Sequence, residues 1–262
     1  MHSGWHRRGW RAPIRGAIIN CRILVFAKAP TPGRVKTRLI PALGARGAAK
    51  LQRQLIARTL RTVMAAGLGT PELWCAPDPG DPFFAACAKR YGLGLHPQGD
   101  GDLGMRMARA LESVLAAGSP GLLIGCDCPV LTPAYLRAAA TALAEGNDAV
   151  FGPAEDGGYV LIGAVRSPLQ LFEDIAWGTS TVMQATRTRL ARGNWRWREL
   201  ALLWDLDRPE DLLRLRQLRA QAKRNGQDNR CLPATLPTRA EEEERARETV
   251  TSEVPTSGRN SR

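Results

Sequence analysis

Histidine is scarce in this sequence: His2, His6 and His96 are scattered, with no H-E-x-x-H and no Ser-His-Asp order. Zinc-hydrolase and serine-hydrolase chemistry therefore have no candidates. The six cysteines include no C-x-x-C spacing, which excludes a zinc module and gives no support to a disulfide scaffold in a chain of 262 residues. No stretch approaches the ~20 uninterrupted apolar residues of a membrane helix. The basic start, M-H-S-G-W-H-R-R-G-W-R, is followed by an apolar stretch broken at Asn20 and Arg22, with no small-residue cleavage site at the right distance. A secretory signal is not expected, and cytoplasm is the expected location. Acid is also missing from one end: the first 71 residues hold fourteen Lys and Arg and no Asp or Glu, Glu72 being the first.

What is present is a globular composition, 44% hydrophobic and 24% charged, enough for a packed core and too apolar for disorder. The net charge of +12 comes from the N-terminal third, since the rest of the chain is slightly acidic. An all-basic third asks for an anionic partner, phosphate groups or nucleic acid. Interleaved aromatics or a recognition-helix pattern, which nucleic-acid binding would favour, are lacking there.

Three regions follow. Residues 1–21 read as a basic, Gly/Trp-containing extension without periodicity, and residues 221–262, with an E-E-E-E run, read as a solvated polar tail. Between them, 22–220 alternates strand and helix patterns. Strands are expected at 22–27, 73–76, 122–125, 149–152, 159–165 and 200–204. Helices are expected at 43–66, 83–90, 104–117, 133–144, 179–190 and 209–218. This alternation predicts one α/β domain with a mostly parallel sheet covered on both faces. Ligands of such sheets sit beyond the carboxyl ends of the strands.

Five motifs fall at strand ends. The first, K-A-P-T-P-G-R-V-K-T-R-L, follows the first strand. Prolines and Gly33 shape an irregular loop that includes Pro32, from which Lys28, Arg34, Lys36 and Arg38 project. A strand, a Gly-bearing loop and a helix direct backbone N–H groups at an anion, and four cations suit a di- or triphosphate. Neither a Walker loop nor G-x-G-x-x-G is present. The second motif, G-C-D-C-P, places Asp127 where it could hold a hard divalent cation bridging phosphate oxygens. Its flanking Cys126 and Cys128 read better as buried small residues than as thiolate ligands.

The third motif, W-D-L-D-R-P-E-D-L, offers Asp205 or Asp207, with Glu210 close by, for the same metal, or else helix capping and first-turn acids including Asp211. The fourth, G-P-A-E-D-G-G-Y, presents Glu155 or Asp156 as a base or hydroxyl acceptor beside Gly157, Gly158 and Tyr159, or simply forms a D-G turn. In the fifth, Q-G-D-G-D-L-G-M-R-M, Asp102 and Arg106 stand at a helix start. There Asp102 is either an N-cap or a contact to a base or ribose.

These five motifs, in this order over about 22–218, resemble a bacterial family of GT-A-fold transferases. Its members are assigned as glycosyltransferases, some linked to arsenosugar biosynthesis and radical-SAM gene neighbourhoods. The chain is more distantly similar to the 2-phospholactate guanylyltransferases. The resemblance implies a three-layer, Rossmann-like nucleotide-diphospho-sugar transferase fold, with phosphates on the basic loop, a divalent metal on Asp127, and the D-G-G-Y segment near the second substrate. By the relatives' pattern, Asp207 and Glu210 complete the metal site.

The leading expectation is glycosyl transfer from a nucleotide-sugar to a small acceptor. Mg2+ or Mn2+ on Asp127, helped by Lys28, Arg34 and Lys36, would neutralise the leaving diphosphate, and Asp156 would deprotonate the acceptor. The alternative is nucleotidylyl transfer, in which a phosphorylated small molecule attacks the α-phosphate of an NTP and releases pyrophosphate. A non-enzymatic nucleic-acid-binding module is a further alternative. The leading reading expects no specific nucleic-acid partner and no membrane span, and leaves homodimerisation open.

Overall fold

The computed structural model describes residues 21–69 and 71–224. The expected basic extension, Cys21 excepted, and the expected polar tail beyond 224 lie outside the described residues. Runs rich in Val, Ile, Leu and Phe become strands: β1 (Arg22–Lys28), β2 (Pro71–Ala76), β3 (Gly94–Pro97), β4 (Gly121–Ile124), β5 (Ala149–Pro153), β6 (Tyr159–Ala164) and β7 (Trp197–Glu199). They form one sheet in the order β3-β2-β1-β4-β6-β5-β7. β1 pairs parallel with both β2 and β4, and β5 with β7, while β6 lies antiparallel between β4 and β5.

That order places a crevice at the C-terminal ends of β1 and β4, from which the chain departs in opposite directions. The reversed β6 begins at the same edge of the sheet, so the D-G-G-Y segment enters the region that the β1 and β4 loops leave.

The helices are α1 (Ile40–Ala66), α2 (Pro82–Tyr91), α3 (Leu103–Ala116), α4 (Pro133–Ala144), α5 (Leu169–Phe172), α6 (Val182–Arg192) and α7 (Pro209–Arg224). Local chemistry sets their starts. Asp81, Asp102 and Thr132 cap α2, α3 and α4 by accepting from the backbone N–H groups of Phe83, Met105 and Tyr135, and Pro82 and Pro133 occupy first-turn positions. Alternation along β1 splits the core. Ile23, Val25 and Ala27 pack with α1, α2 and α4, whereas Leu24 and Phe26 pack with α3, α5 and α6. A third cluster joins Leu39, Leu51 and Leu55 to Trp204, Leu206, Leu212 and Leu215, fastening α7 onto the start of α1. This is the expected three-layer α/β architecture. No described helix is long and apolar enough to cross a membrane.

Several local expectations change. The strand expected at 200–204 is displaced to β7, and only Leu203 bridges back, to Ala154. The reason is packing: Trp204 and Leu206 leave the sheet for the α1–α7 cluster. α6 starts at Val182 rather than 179, and α7 runs to Arg224 rather than 218. The helix expected at 43–66 begins at Ile40 and is interrupted at Gly44, whose φ is +67°. Cys21, assigned to the extension, is fully buried against the sheet. β3 and α5, short segments without clear periodicity, were not anticipated.

Gly163 on β6 faces Leu122 on one side and Val150 on the other, and an added Cβ would lie 2.5 Å and 2.6 Å from their methyl carbons. Gly163→Ala should overpack this junction and cost about 1–3 kcal/mol. A lowered denaturation midpoint with an unchanged m-value checks it.

Candidate active site

The loop after β1 is shaped before it meets any ligand. Gly33 adopts φ +79°, and Lys36 takes the left-handed conformation at φ +47°, unusual for a residue with a side chain. That turn carries Lys36 inward, so its side chain is only 3% exposed. Its ammonium donates to the Leu206 carbonyl oxygen at 2.7 Å and lies 2.8 Å from the Asp127 carboxylate and 3.8 Å from Asp207. Arg38 pairs with Asp207 at 2.6 Å. The Leu206 N–H donates to the Asp127 carbonyl oxygen at 2.8 Å, so the β4 loop and the D-L-D segment are also joined through the backbone.

Around this junction opens a cleft of about 390 Å³, lined by Lys28, Arg34, Val35, Lys36, Thr37, Arg38, Gln52, Asp127 and Asp207. Lys28, Arg34 and Arg38 are exposed, as are Pro32 and Gly33. The basic loop, Asp127 and Asp207 thus come together as expected, with one change of role. Lys36, expected on phosphate, is committed to protein acceptors and Arg38 is paired with Asp207, which leaves the exposed Lys28 and Arg34 lining the cleft outside these pairs. Gln52, a buried polar residue of α1, was missed; it sits within an otherwise ordinary helical pattern.

The acids sort into distinct environments. Asp205 is partly buried, and its pKa is pushed up to about 7, first by burial and then by the negative charges of Asp127 and Asp156, while Lys36 opposes the rise. Asp127, Asp156 and Asp207, which come from three loops, thus all lie close enough to act on Asp205. Asp156 is exposed, and one of its oxygens accepts from the Gly158 N–H at 2.9 Å. Glu155, its rival as base, is held by Arg214 in a two-bond pair at 2.7 and 2.9 Å, which keeps its carboxyl below the usual range.

Gly157 adopts φ +88°, and a Cβ there would stand 2.0 Å from the Ser180 carbonyl oxygen, so only glycine fits. Tyr159 directs its ring into the core beside Phe151 and Trp177, and burial raises its pKa. This corrects its assignment as a substrate contact.

The expected metal set of Asp127, Asp207 and Glu210 does not converge. Glu210 lies exposed in the first turn of α7 and does not line the cleft. Asp211 is the acid that accepts from the Asp207 and Arg208 N–H groups. Among the described residues no three His, Cys, Asp or Glu side chains form a ready-made metal centre. The donor chemistry still suits a hard divalent ion, because Mg2+ commonly takes one or two carboxylates and completes its shell with substrate phosphates and water. Asp127 and Asp207, both half exposed on the cleft, are carboxylates of that kind, and Asp205 adds a third acid beside them.

Cys126 and Cys128 are buried with raised pKa values, largely from burial, and are packing residues. Asp102 is confirmed as the N-cap of α3. Arg106 donates to the Asp102 carbonyl oxygen and to Gln98, whose amide in turn donates to the Ala27 and Trp74 carbonyls. Arg106 thus braces the neighbouring strand end.

Because the folded pKa of Asp205 lies above that of an unfolded aspartate, near 3.9, the folded state binds more protons between that value and about 7. Stability should fall as pH rises through this window and level off above it. Asp205→Asn should remove this slope and raise Tm by several degrees at pH 8, with little gain at pH 4. Melting curves across pH in the absence of divalent metal test this.

Residues 59–179 match the family model described as "uncharacterized protein conserved in bacteria (DUF2064)". No curated protein matches the chain. Among solved structures, the chain is similar to a protein of Desulfovibrio desulfuricans G20 provisionally assigned as a nucleotide-diphospho-sugar transferase. The two share 27% identity with a TM-score of 0.69 over 90% of this chain and 100% of that one. A nucleotidyl transferase from Methanothermobacter thermautotroptrophicus shares 20% identity with a TM-score of 0.50, over 77% of this chain and 99% of its own. That second likeness is one of fold. The chain therefore has a Rossmann-like α/β fold of the nucleotide-diphospho-sugar transferase type.

Proposed function

We propose that the chain is a glycosyltransferase that moves a sugar from a nucleotide-sugar donor to a small acceptor with a divalent metal. The observation that carries this reading is one cleft at the carboxyl ends of β1 and β4 where exposed cations and carboxylates meet. Lys28, Arg34 and Arg38 bind the donor diphosphate through charge-assisted hydrogen bonds. Asp127, with Asp205 or Asp207, would hold Mg2+ or Mn2+, which would stabilise negative charge developing on the leaving phosphate oxygens. Asp156 accepts the acceptor's hydroxyl proton on its oxygen that is not bound to Gly158. Gly157 and Gly158 let the acceptor approach the backbone closely. The overall similarity to the Desulfovibrio protein supports this transferase class.

Nucleotidylyl transfer is the second reading, and the density of cations favours it. Lys28, Arg34 and Arg38 at one opening suit a triphosphate, and an ionised phosphate nucleophile needs no base. Nucleic-acid binding draws less support, because Asp127, Asp156 and Asp207 stand beside the cations and would repel a phosphate backbone.

Incubating the protein with nucleotide-sugars, and separately with NTPs and phosphorylated small molecules, decides between the first two readings. Release of a nucleoside diphosphate is expected, and release of pyrophosphate establishes the second reading instead. Asp127→Asn should lower turnover at least 100-fold, since a lost metal ligand removes several kcal/mol of transition-state stabilisation. Its Tm should fall as well, because the buried Lys36 ammonium loses its carboxylate partner, so turnover is compared at a temperature at which the variant is folded. Arg34→Ala should weaken nucleotide binding about tenfold or more, the loss of a hydrogen bond to a charged group. Calorimetric titration measures that change.

A further inference from the structure

Arg58 lies in the middle of α1, is 5% exposed, and points at the loop that carries Asp127. Its guanidinium donates to the Leu131 carbonyl oxygen at 2.8 Å and to the Cys128 carbonyl oxygen at 3.5 Å. Those carbonyls bracket the turn that separates Asp127 from α4. The neighbouring Thr59 is buried close to Cys126, on the other side of Asp127. Arg58 therefore holds the turn that follows Asp127 from within the core.

Burying a guanidinium is costly, and an aliphatic side chain would fill the same space without that cost. What an aliphatic residue cannot supply is several donors in a fixed planar fork to satisfy carbonyls of an irregular loop. We propose that Arg58 is a positioning residue for Asp127, fixing the loop on which that carboxylate stands. What Asp127 then does rests on the transferase reading; that it is held in place does not.

The test uses the full-length protein with Arg58→Met and Arg58→Lys, and with Val63→Ala as a packing control on the same helix. Val63 is buried in the same helix–sheet layer but is not among the hydrogen-bond partners of the loop. Amide hydrogen exchange is followed in peptides covering 125–131, and Mn2+ binding is titrated in the presence of inorganic pyrophosphate. Arg58→Met should speed exchange at 125–131 at least tenfold, leaving β4 and α4 near wild type, and should weaken Mn2+ binding by about 10–100-fold, as loss of support behind a metal ligand does. Arg58→Lys should recover part of both effects, and it serves alone if the Met variant fails to fold. Val63→Ala should lower Tm without singling out the loop.

Unchanged exchange at 125–131 in the Arg58 variants, or loosening no more local than that of Val63→Ala, overturns the proposal. If the wild type takes up no Mn2+ with pyrophosphate, the transferase reading falls, and the exchange result still decides the role of Arg58.

Discussion

A single buried ammonium joins the three loops on which the candidate site depends. Lys36 has left a polar loop for the interior, where an unpaired charge would be strongly unfavourable. It is tolerated because the Asp127 carboxylate and the Leu206 carbonyl accept from it, with Asp207 just beyond. These acceptors come from the loop after β4 and from the D-L-D segment before α7, so one side chain fixes the relative positions of segments some 90 to 170 residues away in sequence. The left-handed backbone at Lys36 is consistent with this role, since the strain of that conformation needs compensating contacts.

Sheet topology brings those segments within reach of one another. Parallel pairing of β1 with β4 puts the basic loop and Asp127 at neighbouring strand ends, and insertion of β6 in the opposite sense brings Asp156 to the same edge. A wholly parallel arrangement would have carried the D-G-G turn to the far side of the sheet. The antiparallel β6 requires close packing against both neighbours, which Gly163 permits by presenting no side chain to Leu122 and Val150. A constraint in the middle of the core is thus linked to the placement of an acid at the surface.

Much of this was legible in the sequence because it depends on local rules. Apolar runs marked most of the strands, Asp102 stood at the start of a helix, and the Pro-Gly-Lys-Arg composition set the first loop apart as a shaped, cationic turn. The parts that were not legible are long-range. Nothing local distinguishes Lys36 from Arg34 or Lys28, yet the fold buries the first and exposes the others. The D-x-D spacing left Asp205 and Asp207 equivalent, and only the third dimension separates the burial-shifted Asp205 from Asp207, which is paired with Arg38. Glu210 is a suitable residue type but stands exposed in the first turn of α7, outside the lining of the cleft. Arg58 and Gln52 looked like polar residues on a solvated helix, because the sequence does not reveal that α1 covers the Asp127 loop.

The charge pattern also explains why a phosphate and a divalent cation belong together here. The cleft is lined by cations and carboxylates together, and Lys36 and Arg38 neutralise only part of the negative charge. Burial first, and then the neighbouring carboxylates, raise the pKa of Asp205, so that acid holds its proton where too little positive charge is near. A divalent ion would relieve that crowding, and phosphate oxygens would complete its shell while the exposed Lys28 and Arg34 neutralise the remainder of their charge. Each ligand then reduces the electrostatic cost of binding the other, so metal and nucleotide should bind cooperatively.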